Sequence, residues 1–264
     1  MRQILGFRFA APSRLVPKNR GRVALISPVL LLFASISGPV WPQTVQANLP
    51  SGPTAAQVVD LMQRHNQSRT EELKHYESTR HYKVEYRGFS KTVAGEMEVE
   101  VSFDAASGKS FRIISQSGSS FLCDKVLKRA LESEKEAAKD KGSTAVTPAN
   151  YRFQLVGNEV LAGRPAYVLH VEPLTPSKFL YRGKIWIDAA DYALVKMDGE
   201  PAKNPSLWIA RTALRFTNAK TGDFWLPEQT RSETKVRIGG TAVLTINYGV
   251  YQVAPRESRL APGL

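Results

Sequence analysis

The residue types that most often carry catalysis are few in this sequence and lie apart. His75 and His81 are six residues apart on a segment expected to be extended, and two imidazoles alone do not complete a metal site. Asp188 and Asp191 flank a predicted turn, where Asp is favoured because it accepts hydrogen bonds from the backbone; a carboxylate pair for acid–base catalysis is the less favoured alternative. Cys123 lies on the apolar stripe of a predicted helix, which favours a small buried side chain over a reactive thiol. We therefore predict no catalytic residue, no metal site and no cofactor.

Composition places the chain among globular proteins. Its 264 residues are 42% hydrophobic and 23% charged, which is ordinary for a folded protein and unlike a disordered one. The single Cys excludes an intramolecular disulfide framework. The formal net charge is +12, but six basic residues and no acidic ones lie in residues 1–47. Beyond them the net charge falls to +6, with Lys and Arg interleaved with Glu and Asp, so we predict no nucleic-acid partner.

The N-terminal region has the order of a secretory signal peptide. A basic start is followed by an apolar run over residues 23–36 and by small residues at 45–47, a plausible cleavage site. The apolar run has 14 residues, whereas a helix that spans a bilayer needs roughly 20. We predict a signal peptide over 1–47, with an uncleaved anchor as the alternative. A Pro/Gly linker over 48–53 and a frayed tail over 255–264 complete the predicted boundaries.

Two helices and about ten strands are expected between residues 54 and 254. Thr54 and Gln57 have the spacing of a capping box. The helix that they start, to about residue 69, has an apolar stripe of Val58, Val59, Leu61, Met62 and His65. A second helix, from Ser120 to about Lys141, has a stripe of Cys123, Val126, Leu127, Ala130 and Leu131. Alternation of apolar and polar residues predicts strands over 76–87, 96–103, 109–116, 151–156, 166–171, 180–188, 193–197, 208–218, 228–238 and 242–251.

These elements predict one α+β domain over residues 54–254. Strands joined by short loops pair antiparallel, and a sheet of about ten strands twists and curls. The two helices can bury their stripes only against the apolar face of that sheet. We therefore expect a strongly curved antiparallel β-sheet, a half-barrel of about ten strands, with two amphipathic helices covering the concave face.

The concave face is expected to be an apolar wall, and the hollow between wall and helices a container for acyl chains. Ordinary core packing under the helices is the alternative for every wall residue. Trp186 is predicted on the opposite side of its strand, where it could anchor a helix or lie at a rim. The residues predicted to line the wall are Met97, Val99, Val101, Phe103, Leu169, Val171, Ile185, Ile187, Leu214, Phe216, Leu244 and Ile246.

One stretch of the sequence resembles a known superfamily. Tyr181-Arg-Gly-Lys-Ile-Trp-Ile-Asp188, followed by Ala193-Leu-Val-Lys-Met-Asp-Gly199, is similar to the strand–turn–strand signature of the LolA-like superfamily. That superfamily includes periplasmic lipoprotein carriers, their outer-membrane acceptors and the N-terminal domain of RseB/MucB regulators. Phe224-Trp-Leu-Pro227 and Val243-Leu-Thr-Ile-Asn-Tyr248 also resemble outer-membrane lipoprotein-sorting proteins. The resemblance implies a half-barrel that holds acyl chains and an arginine that locks its lid by hydrogen bonding, a role that the sequence assigns to no particular arginine.

The expected function is therefore non-enzymatic. We predict a periplasmic binding or carrier protein for lipid or lipoprotein acyl chains, involved in outer-membrane lipoprotein sorting and in transient contact with membrane-bound donor and acceptor proteins. The alternative is an envelope sensor or regulatory domain of the same fold that binds a protein partner.

Overall fold

The computed structural model describes residues 52–139, 141–204, 207, 209–237 and 239–254. The predicted signal peptide, the first four residues of the predicted linker and the predicted tail lie outside the described residues.

Helix α1 spans Ala55–Glu72 and begins with the predicted capping box. The backbone N–H of Gln57 donates to Thr54 Oγ1 (3.3 Å), and the N–H of Thr54 donates to Gln57 Oε1 (2.8 Å). Both bonds satisfy donors that a helix start otherwise leaves open. The exposed position of His65 shows that the predicted stripe was too broad. The buried residues of the helix are Val58, Val59 and Met62.

Eleven antiparallel strands are found among the described residues, where about ten were predicted. They are β1 (His75–Arg87), β2 (Thr92–Asp104), β3 (Gly108–Gly118), β4 (Tyr151–Leu161), β5 (Arg164–Pro173), β6 (Tyr181–Asp188), β7 (Leu194–Pro201), β8 (Ile209–Thr221), β9 (Phe224–Val236), β10 (Thr241–Tyr248) and β11 (Gln252–Val253).

The strands form one open sheet in the order β3-β2-β1-β10-β9-β8-β7-β6-β5-β4, with β11 paired to β1. Strands β3 and β4 are consecutive in the chain but lie at opposite edges of the sheet. The connection between them therefore crosses the whole sheet. This crossing places a helical segment over the sheet face.

That connection contains the second predicted helix. It consists of α2 (Ser120–Leu122), a π-helical turn (Cys123–Leu127) and α3 (Lys128–Lys139), which we call together the cover helix, and it is followed by α4 (Lys141–Thr144). The residues of the cover helix that are buried are Leu122, Cys123, Leu127 and Leu131. The prediction for Cys123, a small buried side chain, is confirmed.

The predicted fold class, a curved α+β half-barrel, is confirmed. Register shifts interrupt the pairing of β2 with β3, β4 with β5, β6 with β7 and β8 with β9. Such bulges increase local twist and let a large sheet curl. Within β6 and β7, Gly183 and Gly199 are paired, and a Cβ atom on either would overlap a carbonyl oxygen of the opposite strand. The absence of side chains at these positions permits that close approach.

Apolar residues form two large clusters on the helix-covered side of the sheet, which we call the inner face. One cluster joins β1, β2 and β10 to the cover helix, and the other joins β5, β6 and β7 to helix α1. Trp186 lies on the opposite face, as predicted, in a small cluster with Ala166 and Val168. Its Nε1–H donates to Glu159 Oε2 (2.8 Å), and Lys196 Nζ lies 4.0 Å from its ring centroid.

The predicted turn role of Asp188 is confirmed, and the turn does more than reverse the chain. Asp188 Oδ1 accepts hydrogen bonds from the backbone N–H groups of Ala190 (3.0 Å) and Asp191 (2.7 Å). Arg69, in the last turn of α1, donates to the backbone oxygens of Asp191 (2.8 Å) and Tyr192 (3.3 Å). The end of α1 is therefore fixed to the β6–β7 turn.

Candidate functional site

A single row of paired residues crosses the inner face from one half of the sheet to the other. Residues that are directly opposite in an antiparallel sheet lie on the same face. The row includes members of the predicted wall from β2, β5, β6, β8 and β10, so the two halves of that wall are continuous. Its residues, in order across the sheet, are Met97, Tyr82, Ile246, Thr230, Phe216, Met197, Ile185 and Leu169.

All twelve predicted wall residues belong to one of the two inner clusters. The cluster under the cover helix contains Met97, Val99, Val101, Phe103, Leu244 and Ile246. The cluster under α1 contains Leu169, Val171, Ile185, Ile187, Leu214 and Phe216. Eight of the twelve are buried, and the half-buried ones are Phe103, Leu214, Phe216 and Leu244. The sequence thus placed these residues on one face, and their contact with a ligand stays a prediction.

The helices fill the flanks of the predicted hollow. Leu127 of the cover helix is fully buried in one cluster, and Val58 of α1 is fully buried in the other. At the flanks, helix side chains occupy the space that an acyl chain would need, which agrees with the alternative of ordinary core packing under the helices.

The middle of the inner face is less covered than its flanks. Helix α1 packs with the residues of β5–β7, and the cover helix packs with those of β1 and β2. Between them, five inner-face residues of β8, β9 and β10 are half-buried, whereas Thr212 and Ile246 on the same face are buried. The five half-buried residues form what we call the inner groove: Leu214, Phe216, Thr230, Ser232 and Leu244. The two groove residues on β9 carry hydroxyl groups, so they were not among the predicted apolar wall residues. Their alternation with charged residues along β9 indicates in the sequence that they face the inner side of the sheet.

Two cavities lie beside α1 and away from the predicted wall residues. The first, of about 430 Å³, is at the helix start and is lined by Pro53, Gln57, Asp60, Leu61 and Arg64. The second, of about 330 Å³, lies between the end of α1 and β7–β9. Its lining is Asn66, Arg69, Thr70, Leu73, Ala193, Leu194, Asn218, Phe224, Trp225 and Leu226.

A buried ion pair joins the cover helix to the sheet. Arg80 projects from β1 onto the inner face and is 1% exposed. Its Nη1 donates to Glu134 Oε1 of α3 (2.5 Å), and Tyr82 OH donates to Glu134 Oε2 (3.3 Å). The Arg80 guanidinium carbon also lies 4.7 Å from the ring centroid of Tyr248 and 5.6 Å from that of Phe111. Arg80 therefore ties α3 to β1 through Glu134.

The surroundings of Arg80 favour the charged form of its guanidinium. Burial acts to lower the pKa of Arg80, but the charge and hydrogen bond of Glu134 outweigh burial and raise that pKa above its ordinary value. Burial, followed by the Glu134 charge, raises the pKa of the Tyr82 hydroxyl. The guanidinium is therefore ionised and Tyr82 is protonated at neutral pH. Glu134 accepts from both.

Sequence reasoning missed both partners, although each had a signal. Arg80 occupies the same parity as Tyr82 and Val84 on β1, so its charge falls on the inner face. Glu134 continues the helical spacing of Leu127 and Leu131 on the buried side of the cover helix. In both cases a charged residue stands at a position where the repeat of the pattern predicts an apolar one.

The two histidines considered as metal ligands, His75 and His81, do not form part of a metal site. His75 and His81 lie on the outer face, where their Nε2 atoms approach Glu77 (3.7 Å) and Glu96 (3.4 Å) respectively. Within the ranges that the structure describes, no three or more His, Cys, Asp or Glu side chains come together in a way that could hold a metal ion. None of the helices in these ranges combines the length and apolar composition needed to cross a bilayer.

Comparison with known proteins gives similarity at the level of structure. No family model matches the sequence, and no curated protein matches it. A putative outer membrane lipoprotein-sorting protein domain from Vibrio parahaemolyticus is 13% identical, with a TM-score of 0.41, and the match covers 79% of this chain and 95% of that one. A DUF1329 family protein from Desulfovibrio piger has 13% identity, a TM-score of 0.40 and the same coverages. A LolA superfamily protein from Nitrosomonas europaea has 11% identity and a TM-score of 0.34, with 77% and 94% covered.

The name of one of these proteins includes the LolA superfamily, to which the sequence motifs are similar. All three matches are below 25% identity and have TM-scores below 0.5, so they assign neither a family nor a function to this chain. Any function has to be argued from the residues of this chain.

Proposed function

We propose that this protein is a non-enzymatic binder or carrier of lipid or lipoprotein acyl chains that acts in outer-membrane lipoprotein sorting. The observation that carries the proposal is the continuous row of paired residues on the inner face, which runs from Met97 to Leu169 and is apolar except at Thr230. A long apolar ligand can occupy this surface only if one of the two helices moves away from it. The predicted signal peptide supports action in the periplasm, with membrane-bound donor and acceptor proteins as transient partners.

Binding would exchange one set of apolar contacts for another. An acyl chain gains about 0.8 kcal/mol for each buried CH₂ group. The cover helix loses the contacts of Leu122, Leu127 and Leu131 when the chain replaces it. The two quantities are comparable, so uptake and release are close to balanced, which suits a carrier because a ligand held too tightly is not passed on.

The inner groove is the natural entry point. Its residues are half-buried already, so a ligand reaches Phe216 and Leu244 before any helix moves. Because the groove lies between the two clusters, a chain that enters there is positioned to spread beneath the cover helix.

Native mass spectrometry of protein from a periplasmic extract tests the proposal with two matched variants. Ser232→Trp places an indole in the groove, and Glu233→Trp places the same side chain on the exposed outer face of β9. We expect a co-purifying lipid of discrete mass on the unchanged protein and on Glu233→Trp, and much less on Ser232→Trp. Ligand-free protein in all three samples would contradict the carrier function.

A second function is favoured by the edge of the sheet. Strand β3 exposes Ile113 (40%) and Ile114 (50%), and Phe121 just beyond it is 67% exposed. An edge strand with exposed apolar side chains is suited to pairing with an extended partner segment. A stoichiometric protein partner in the same extract, lost in Ile114→Lys but kept in Val156→Lys at the opposite edge, would favour this envelope-sensor role.

A further inference from the structure

We propose that Arg80 is a binding site for an anionic group of the bound lipid, a phosphate or a carboxylate, and that Glu134 occupies this site as an internal substitute in the ligand-free state. The inference rests on the proposed function, since it names the chemical class of the ligand for the same inner face. We call the group formed by Ser78, Arg80, Lys109 and Glu134 the Arg80 site.

The Arg80 site contains two buried polar atoms without partners. Arg80 Nε and Ser78 Oγ have no hydrogen-bond partner among the described residues, and the two side chains are 1% and 5% exposed. They lie two residues apart on β1 and therefore share the inner face. Buried polar atoms in native proteins are nearly always satisfied, so each of these two atoms is open to a further hydrogen-bond partner, a role that an oxygen atom of a ligand can fill.

Glu134 is the more exposed partner of this ion pair. Its carboxylate is 2.5 Å from Arg80 Nη1 and 3.8 Å from Lys109 Nζ. Glu134 itself is 26% exposed, whereas Arg80 is almost fully buried. Glu134 is therefore the partner that can withdraw from the site when the cover helix moves.

Movement of the cover helix is coupled to this site by charge. Lifting α3 withdraws Glu134 and leaves the buried guanidinium of Arg80 without a counter-charge, which is strongly unfavourable. A neutral acyl chain replaces the apolar contacts of the helix but not that charge. A ligand that also carries a phosphate or carboxylate replaces both, and only such a differential interaction can shift the helix from closed to open.

The geometry of Arg80 suits an oxyanion. A guanidinium offers a planar fork of donors that matches the oxygen atoms of phosphate and carboxylate. The rings of Tyr248 and Phe111 lie near the guanidinium carbon. They hold the group in place, and Nε is left available together with Ser78 Oγ. A ligand that places an acyl chain on the inner-face row and an oxyanion at Arg80 is an anionic amphiphile.

The test compares three probes on the mature full chain: dioctanoyl-phosphatidylglycerol, dioctanoylglycerol with the same acyl chains, and inorganic phosphate. Affinity is measured by titration with detection by native mass spectrometry. We expect the anionic lipid to bind at least tenfold more tightly than the neutral one, a factor that corresponds to about 1.4 kcal/mol. Inorganic phosphate alone should bind more weakly than the anionic lipid.

Variants then assign the preference to the site. Glu134→Gln removes the internal competitor and, with it, the cost of withdrawing a charge from Arg80. Binding of the anionic and of the neutral lipid should therefore tighten by a similar factor, and the preference for the anionic lipid should persist. Arg80→Met should abolish the difference in affinity between the two lipids. Arg80→Lys keeps the positive charge but lacks the planar fork of donors, and it takes the place of Arg80→Met if that variant does not fold. Glu100→Gln, which removes a carboxylate paired with Arg112 on the outer face, is the control and should change nothing.

The outcomes separate the two proposals. Equal binding of both lipids in the unchanged protein overturns the anion site and leaves acyl binding intact. Binding of neither lipid overturns the proposed function. Inorganic phosphate bound as tightly as the anionic lipid supports recognition of the anion but contradicts a role for the acyl chain.

Discussion

The Sγ atom of Cys123 lies 3.4 Å from the backbone oxygen of Ser117, which places the single thiol of the chain between the cover helix and the last residues of β3. The same atom is 3.7 Å from the backbone oxygen of Glu96 on β2, and the residue is 3% exposed. A reagent in solution can reach this thiol only when the cover helix moves away from the sheet. Cys123 is therefore a built-in reporter of opening.

Thiol labelling should be slow in the native protein and should be accelerated when the ion pair of the cover helix is weakened. We expect Glu134→Gln to raise the labelling rate of Cys123 by at least tenfold, because loss of about 1.4 kcal/mol of closure energy already gives that factor. The measurement is the native-state reaction rate with an aromatic disulfide reagent. Glu100→Gln on the outer face is the matched control, and a Glu134→Gln rate equal to that of the control would show that this pair does not hold the helix.

Removing one partner of the Arg80–Glu134 pair should cost more stability than removing both. Glu134→Ala leaves a buried guanidinium unpaired, and we expect the free energy of unfolding to fall by about 3 kcal/mol. The double variant Arg80→Met with Glu134→Leu replaces the pair by apolar groups and should recover most of that loss. Urea unfolding of the single and double variants measures both values. A double variant less stable than Glu134→Ala would mean that the ion pair contributes net stability.

Stability in acid should depend on Asp188. Burial alone would raise the pKa of its carboxyl group, but hydrogen bonds from Arg164 and from the backbone of Asp191 and Ala190 outweigh burial and lower it. A carboxylate with a depressed pKa in the folded state stabilises the fold above its unfolded pKa of about 3.9 and loses that contribution as the pH falls through the folded value. The contribution is therefore complete at neutral pH and disappears in strong acid.

Asp188→Asn isolates this contribution. At pH 7 we expect a loss of about 2 kcal/mol in the free energy of unfolding, since the variant gives up charge-assisted hydrogen bonds to Arg164 (2.6 and 2.8 Å). The difference from the unchanged protein should shrink as the pH is lowered toward 3. Asp124→Asn, which removes an exposed carboxylate paired with Lys128, is the control and should change stability little at either pH. A difference for Asp188→Asn that is constant with pH would contradict the assigned charge effect.

Local pattern was enough to predict which face of each strand is apolar. Met97 and Ile185 lie in different halves of the sheet, yet each was placed on the inner face by alternation within its own strand. A register slip of one residue would turn the whole apolar set to solvent, so alternation fixes the face wherever one side is buried. Helix starts were equally local, as the Thr54 capping box shows.

The pairing of distant segments could not be predicted in the same way. Tyr82 and Ile246 are neighbours on β1 and β10 although most of the chain lies between them, because the sheet is completed only when its last strand returns to its first. Arg80 and Glu134 meet only because the β3–β4 connection crosses the sheet. Each charge was visible in its own pattern, but their contact depends on that crossing.

The close approach of β6 and β7 should tolerate no side chain at Gly199. A Cβ atom there would overlap the carbonyl oxygen of Arg182 on the neighbouring strand, and backbone atoms cannot yield as a flexible side chain can. We expect Gly199→Ala to lower the free energy of unfolding by about 2 kcal/mol through forced separation of the strands. Gly52→Ala is the matched control, because no atom lies within 4 Å of its Cβ position, and its effect should be neutral or slightly stabilising. Equal stability of the two variants in urea unfolding would mean that β6 and β7 separate at little cost, and Gly199 would then have no role in shaping the sheet.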